Sequence, residues 1–368
     1  MLLSVVLLIG ASVFYISTRF AVFFPAVGRK AWIVAVSVFM LVVITCVAAF
    51  STTPHPIGRA LFMFGGVAGG AVILLLMSLI VTDVVHLVCG LGPRPRCAAT
   101  FALLALLLAY SVWNARHVRV NEVTIPVRGL TQEVRALHLT DVHLGNFRGQ
   151  RLMEELADKI RELQPDVIFN TGDMFDSKNH FATGDDVLSP LSGIDIPHYF
   201  VYGNHDEYVG LENVVERMRK AGCRVLLNEV AEFGELQIVG LNNMLPDRQT
   251  FDPHAKPGAQ TVEEVLDKLD LKSDKPTILL HHRPDGVNYM QEHGVDLLLS
   301  GHTHGGQLFP ITIVSKLMFG YNTGLYEYKD MAIHVSEGIG TIFSPMRLGT
   351  KSGMTLIHLV PTESIGAH

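Results

Sequence analysis

The sequence predicts an α/β domain preceded by an all-α transmembrane module of about four helices, and two contrasts along the chain support this fold class. Residues 1–118 hold seven Lys/Arg, one Asp/Glu and long charge-free apolar runs, whereas residues 119–368 have a net charge of −12. In the second part, short apolar runs of strand length alternate with helical patterns. We therefore predict two domains, 1–118 and 119–368.

The composition narrows the class further. Only 17% of the residues are charged and the mean hydropathy is +0.32, which excludes a disordered chain and a basic nucleic-acid-binding protein and indicates a membrane protein. Three of the four cysteines lie in the first part, so the second part has no disulfide framework.

Four apolar runs in the first part are long enough, or almost so, to cross a hydrocarbon core of about 30 Å at about 1.5 Å per residue. They are residues 2–18, 33–50, 61–82 and 98–113. The first lacks the positive n-region and cleavage site of a signal peptide, so we expect a retained helix. Asp83 and His86 follow the third run, where we expect the membrane interface.

The basic residues in the loops between these runs indicate on which side of the membrane the second domain lies. Loops one and three contain five basic residues and loop two contains only Arg59, which favours an extracytoplasmic second domain. Arg116, Arg119 and Arg128 follow the fourth run and count against this orientation. The balance is then five to four, a small margin for the extracytoplasmic side.

The second part contains six predicted strands and three predicted helices. The strands are residues 134–140, 166–171, 197–203, 236–241, 276–280 and 296–300, and the helices are residues 150–163, 211–221 and 261–269. Two later runs, 331–336 and 354–360, have no helix between them. We expect them to be added antiparallel strands.

Polar side chains follow five of these strands. The segments are Asp141-Val142-His143, Gly172-Asp173, Asn204-His205-Asp206, His281-His282-Arg283-Pro284-Asp285 and Gly301-His302-Thr303-His304. Because ligands bind at the carboxyl ends of strands in an α/β sheet, distant segments can converge there on one site.

These side chains predict a metal site. Carboxylates, imidazoles and one amide oxygen, without thiolate, suit Mn, Fe, Zn or Co. Seven ligands are too many for one ion, and a two-metal cluster needs a bridging carboxylate, for which Asp173 is the natural candidate. We therefore expect two divalent metal ions as cofactors.

The ordered motifs D-x-H, G-D, G-N-H-D, H-R-P and G-H-T-H-G-G resemble those of the calcineurin-like metallophosphoesterase superfamily over about residues 130–360. The resemblance is strongest to bacterial membrane-associated metallophosphoesterases of the YkuE/YaeI type and their transmembrane relatives. It implies a four-layer αββα sandwich. It also implies two metal ions, one held by Asp141, His143 and His304, the other by Asn204, His282 and His302, with Asp173 between them.

The resemblance also implies the chemistry. The expected reaction is hydrolysis of a phosphomonoester, phosphodiester or pyrophosphate bond by metal-activated hydroxide. His205 would protonate the leaving oxygen or stabilise the phosphoryl group, with Asp206 orienting it; the alternative is that His205 only supports Asn204. The family pattern selects His282 over His281 as the ligand, and adjacent strand residues point to opposite faces.

Several alternatives stay open at this level. A non-catalytic membrane scaffold could retain the fold, and a nuclease is disfavoured by the −12 charge. Arg148 and Arg347 are either phosphate ligands or solvated loop residues. The apolar loops 307–326 and 338–349 either cover a sheet edge or contact lipid. The expected partners are the bilayer of a bacterial cell membrane and a phosphate-ester substrate, for which a membrane lipid or lipid precursor is a candidate, and no nucleic acid.

Overall fold

The computed structural model describes residues 2–51, 53, 55–176, 187–250 and 259–362. The chain divides into two compact units. One comprises Met1–Asn114 with Phe343–Met346, and the other comprises Ala115–Ile342 with Arg347–His368.

Four helices begin the chain: α1 (Leu2–Phe23), α2 (Arg29–Phe50), α3 (Pro56–Cys89) and α4 (Pro93–Arg116). Each is long and apolar enough to cross a membrane. The third is longer than its apolar run because it continues through Asp83 and His86 until Gly90, whose left-handed backbone (φ 66°) ends it.

Asp83 links three of these helices. Its carboxylate accepts a hydrogen bond from the Tyr15 hydroxyl at 2.7 Å and lies 2.6 Å from Arg19 Nε and 3.5 Å from Arg96 Nη1. Because isolated charges are costly in an apolar environment, this pairing explains how an acidic residue is tolerated at the end of the third apolar run.

The remaining chain forms twelve strands and five helices among the described residues. The strands are β1 (Arg119–Val127), β2 (Val134–Leu139), β3 (Val167–Asn170), β4 (His198–Phe200), β5 (Arg224–Val225), β6 (Glu229–Phe233), β7 (Leu236–Gly240), β8 (Thr277–Leu280), β9 (Leu297–Ser300), β10 (Gly324–Tyr328), β11 (Met331–Val335) and β12 (Gly353–Pro361). The helices are α5 (Gln150–Leu163), α6 (Asn204–Lys220), α7 (Val262–Leu266), α8 (Val287–Glu292) and α9 (Ile311–Met318).

These strands make two six-stranded mixed sheets, ordered β1-β12-β2-β3-β4-β5 and β10-β11-β9-β8-β7-β6. Successive strand residues face opposite sides of a sheet. In β3, Val167 and Phe169 pack between the sheets while Ile168 packs among buried side chains of α5 and α6. In the second sheet, the side chains that face away from the first sheet pack against α7 and α8. The result is the predicted four-layer αββα sandwich.

Two strand orientations differ from the expectation. The strand at 331–336 is β11, which pairs parallel to β9 and antiparallel to β10. The strand at 354–360 is β12, which pairs antiparallel to β2 but parallel to β1. Both strands lie inside their sheets with a partner on each side, so the prediction that they are simply antiparallel additions is wrong.

Candidate active site

The carboxyl ends of five parallel strands bring the predicted ligands together. Asp141 and His143 follow β2, Asp173 follows β3, Asn204 begins α6 after β4, His282 follows β8, and His302 and His304 follow β9. Three overlapping sets of side chains offer ligand atoms that lie within 4.8 Å of one another inside each set: Asp141, His143 and His304; His143, Asp173 and His205; and Asp173, His282 and His302. Each set shares a member with another, so the sets form one continuous cluster.

The first group is Asp141, His143 and His304, and all three are buried. His304 Nε2 lies 2.9 Å from His143 Nε2 and 3.2 Å from Asp141 Oδ1. Burial alone would raise the pKa of the Asp141 carboxyl, but the nearby imidazoles, led by His304, hold it well below its usual range.

The residues expected to hold a second ion, Asn204, His282 and His302, also lie together, and we call them the second group. His302 Nδ1 lies 3.0 Å from Asn204 Oδ1 and 3.3 Å from His282 Nε2. Asn204 and His302 are half-buried whereas His282 is fully buried. The second group therefore lies on the more open side of the cluster.

Asp173 joins the two groups. Its Oδ2 lies 3.7 Å from His143 Nε2 and 3.1 Å from His282 Nε2. Its other oxygen, Oδ1, accepts a hydrogen bond of 2.8 Å from the His205 backbone N–H. One carboxylate oxygen is thus held by the backbone and the other faces ligand atoms of both groups.

The donor set fits divalent cations. His282 Nδ1 lies 2.7 Å from the carbonyl oxygen of Thr171 and donates to it, which leaves the Nε2 lone pair of a neutral ring facing the Asp173 carboxylate. Two buried acceptors that face each other need a cation or a proton between them. Burial opposes protonation of His282, yet Asp173 raises its pKa to about 9.

The backbone at the ligands is strained. Five of the seven have a positive φ: Asp141 (53°), His143 (50°), Asp173 (53°), His302 (71°) and His304 (49°). For residues other than glycine this conformation costs free energy, and it concentrates at functional sites. Nearby glycines make room, since a Cβ at Gly203 would meet the Asp173 carboxylate and one at Gly338 would meet the Asp141 side chain.

His205 lies at the edge of the cluster with its side chain 21% exposed. Its Nδ1 is 2.8 Å from Asp176 Oδ1, and the same oxygen is 3.4 Å from His143 Nδ1. Asp176 therefore holds both rings. Sequence reasoning missed Asp176, although its position three residues after Asp173 was a usable signal.

The role expected for Asp206 is wrong. Its carboxylate is fully buried and accepts hydrogen bonds of 3.0 Å from the backbone N–H groups of Phe175 and Gly203. Burial, together with the charge of Asp173, raises its pKa to about 6. Asp206 thus caps the start of α6 and fixes the neighbouring loop, and Asp176 is the carboxylate that faces His205.

Three other candidates are placed as follows. His281 is buried and belongs to none of the three sets of ligand atoms. Burial, followed by the Arg283 charge, lowers its pKa to about 3. Arg347 is fully buried and donates to the carbonyls of Glu337 and Gly340 at 2.7 and 2.8 Å, so it is neither solvated nor open to phosphate. Arg148 donates to the Ala115 carbonyl.

A mixed αββα sandwich with carboxylates and imidazoles at its strand ends is the architecture of the metallophosphoesterase class of domains. The model of the calcineurin-like phosphoesterase family matches residues 134–306. The chain is also 34% identical to a metallophosphoesterase of Aquifex aeolicus over 67% of this chain and 93% of the relative. The protein belongs to the calcineurin-like phosphoesterase family, whose members typically bind divalent metals.

Two further relatives inform on the architecture. A transmembrane protein with a metallophosphoesterase domain from Danio rerio is 28% identical over 91% of this chain and 82% of its own length. The phosphodiesterase YaeI of Escherichia coli is 28% identical over 61% of this chain and 82% of its own length. The chain spans only 64% of the length of the Helicobacter pylori metallophosphoesterases that it matches.

Proposed function

We propose that the protein is a membrane-anchored phosphoesterase that uses two divalent metal ions to hydrolyse a phosphomonoester, phosphodiester or pyrophosphate bond. The observation that carries this proposal is Asp173, whose Oδ2 faces ligand nitrogens of both groups. Residues 1–118 would form the membrane module and residues 119–368 the catalytic domain. The metals proposed are Mn, Fe, Zn or Co, the ions suited to this donor set.

Each of the two proposed ions has its own set of side-chain ligands. Asp141, His143 and His304 would hold one ion, and Asn204, His282 and His302 the other. When bound, such ions supply Lewis acidity towards phosphoryl oxygens and a water nucleophile that is reactive at neutral pH. The half-buried residues of the second group leave that side open to substrate.

His205 would donate the proton. Because Asp176 accepts from Nδ1–H, the nitrogen left to face the substrate is Nε2. A donor held by one hydrogen bond keeps its ring orientation while the other nitrogen transfers a proton to the leaving oxygen.

We further propose that the substrate is in or near the bilayer, such as a lipid headgroup or lipid pyrophosphate. This is supported by chain connectivity, since α4 ends at Arg116 and β1 begins at Arg119. The three residue steps from Arg116 to Arg119 span at most about 11 Å, which keeps the start of the domain near the end of the last apolar helix. Turnover of an ester with acyl chains should exceed that of its water-soluble headgroup, and equal turnover would contradict this substrate class.

The proposal is tested on the full chain purified in detergent, stripped of metal and reloaded with Mn or Fe. We expect about two ions per chain and hydrolysis of an aryl phosphomonoester or diester. Metal analysis decides the outcome, because fewer than one ion per chain is incompatible with a shared Asp173.

A matched pair of variants tests the ligand assignment. His282→Ala should abolish activity and reduce the metal content, whereas His281→Ala should retain the metal and most of the turnover. If His281→Ala instead lost the metal and His282→Ala kept it, the register of this segment would be wrong by one residue.

A further inference from the structure

Helix α9 exposes its apolar residues and buries its polar ones. Thr312 and Ser315 are 8% and 5% exposed, while Ile313, Val314, Leu317 and Met318 are 50%, 51%, 83% and 72% exposed. The four apolar residues follow the i, i+1, i+4, i+5 spacing of one helical face; we call them the apolar face of α9. A helix on the surface of a water-soluble protein has the opposite arrangement.

Hydrogen bonds fix this orientation. The Ser315 hydroxyl donates to Asn322 Oδ1 at 2.7 Å, and the Thr303 hydroxyl donates to the Asn322 carbonyl. Thr303 lies between His302 and His304, so the polar side of α9 is tied to the segment that carries two predicted ligands. Turning the helix over would break the Ser315 hydrogen bond, and its apolar face therefore stays outward.

The segment around α9 also lacks the acidic residues that are common in the rest of the domain. Residues 301–326 contain one basic residue, Lys316, and no Asp or Glu, although residues 119–368 carry a net charge of −12. Lys316 is exposed. An apolar face with a basic residue and without acidic ones matches the chemistry of a bilayer surface, where acyl chains lie below phosphate groups.

We propose that α9 inserts its apolar face into the bilayer to which the N-terminal helices anchor the chain. The occupant is the lipid surface and not a second protein, because the same chain carries four helices able to cross a membrane and the domain begins within three residues of the last one. The polar side of α9, through Asn322 and Thr303, would then hold the ligand segment at the level of the lipid headgroups. This surface is separate from the metal site and does not depend on the proposed reaction.

The test uses tryptophan emission from the full chain in phosphatidylcholine vesicles containing phosphatidylglycerol. Trp32 and Trp113 are first replaced by Phe, and a probe is introduced by Leu317→Trp or, as a second position, Met318→Trp. The control is Leu227→Trp, an exposed position outside α9 (38% exposed). An unchanged far-ultraviolet circular dichroism spectrum shows that each variant folds.

We expect the emission at 317 and 318 to shift to shorter wavelength and to be quenched when the lipid is brominated in its acyl chains, with neither effect at 227. Emission at 317 and 318 that matches the control overturns the proposal. A shift to shorter wavelength without quenching by brominated lipid also overturns it, since the face would then be covered by protein, such as a second copy of the chain.

Discussion

His205 is the residue whose chemical role can be separated from metal binding. If it protonates the leaving oxygen, His205→Asn should leave the metal content intact and lower turnover by roughly 10²–10⁴-fold. The loss should be larger for alkyl esters than for nitrophenyl esters, because a nitrophenolate departs readily without a proton. Equal losses with both metals present would assign His205 to holding the phosphoryl group, and loss of metal would make it a support for Asn204.

Asp176 should affect proton transfer by His205, and Asp206 should not. Asp176→Ala removes the acceptor of His205 Nδ1–H, so turnover should fall by about 10–100-fold, again more on alkyl esters. Because Asp176 Oδ1 also lies 3.4 Å from His143 Nδ1, the metal content is measured beside the turnover. Asp206→Asn should instead lower thermal stability, because a cap that satisfies two backbone N–H groups is weakened. Kinetics on the two ester types and melting curves measure both effects. An altered alkyl-to-aryl ratio in Asp206→Asn alone would restore the role first expected for Asp206.

Residue identity along the sequence indicated the ligands but not the contact of His205. Asp206 is adjacent to His205 in sequence, yet both lie in the first turn of α6, where successive side chains point about 100° apart. Asp176 reaches His205 from the loop after β3. Spacing within a motif cannot show this contact, because it depends on how two separate strand ends meet.

At the level of the element, β4 carries a buried histidine that should make stability depend on pH. Burial lowers the pKa of His198 to about 4, and its Nδ1 lies 3.2 Å from Cys223 Sγ. The unfolded chain, with a pKa near 6.5, binds the proton more readily, so stability should fall as the pH drops from about 6.5 towards 4. Once the pH is low enough for His198 to be protonated in the unfolded chain but not in the folded one, the free energy of unfolding is lower by on the order of 3 kcal/mol.

The variant His198→Leu removes this linkage. Its melting temperature should fall less than that of the parent chain between about pH 7 and about pH 4. Both proteins contain the same metal ligands, so the difference between them isolates His198. Parallel pH profiles would show that His198 is not the group that titrates.

Helices whose apolar residues repeat at regular helical spacing were predictable from the sequence, and helices without such a repeat were not. The helix at 150–163 has the predicted bounds because Leu152, Leu156 and Ile160 repeat at helical spacing and all pack into the core. The helix predicted at 211–221 is the second segment of α6. Gly210 is non-helical (φ 123°, ψ 95°) and separates it by a kink from a first segment beginning at Asn204, which was not predicted. Helix α9 was not predicted as a helix, because its eight residues are too few to establish a helical period in the sequence.

On the scale of the whole molecule, the basic loops make a prediction about orientation. The five Lys/Arg counted in loops one and three lie in the helix ends that flank the α1–α2 and α3–α4 connections. We expect these connections to be cytoplasmic, which places the domain after α4 outside the cytoplasm. An alkaline phosphatase fusion after residue 362 should be active, and a fusion in the loop after α3 should be inactive. The reverse pattern would show that Arg116, Arg119 and Arg128 determine the topology.

Strand β12 lies between β1 and β2 in the sheet but is synthesised long after them, so the first sheet cannot be completed until the end of the domain is made. Ser352 donates to the Ala115 carbonyl at 2.7 Å across 237 positions of sequence, and Arg119 pairs with Gly353 directly after it. At about 5–20 residues per second, the ribosome needs roughly ten to fifty seconds between these two points. For that interval β1 and β2 lack their common neighbour and present unpaired edges. With the proposed insertion of the four helices during synthesis, the first sheet is completed on a chain that is anchored before it folds.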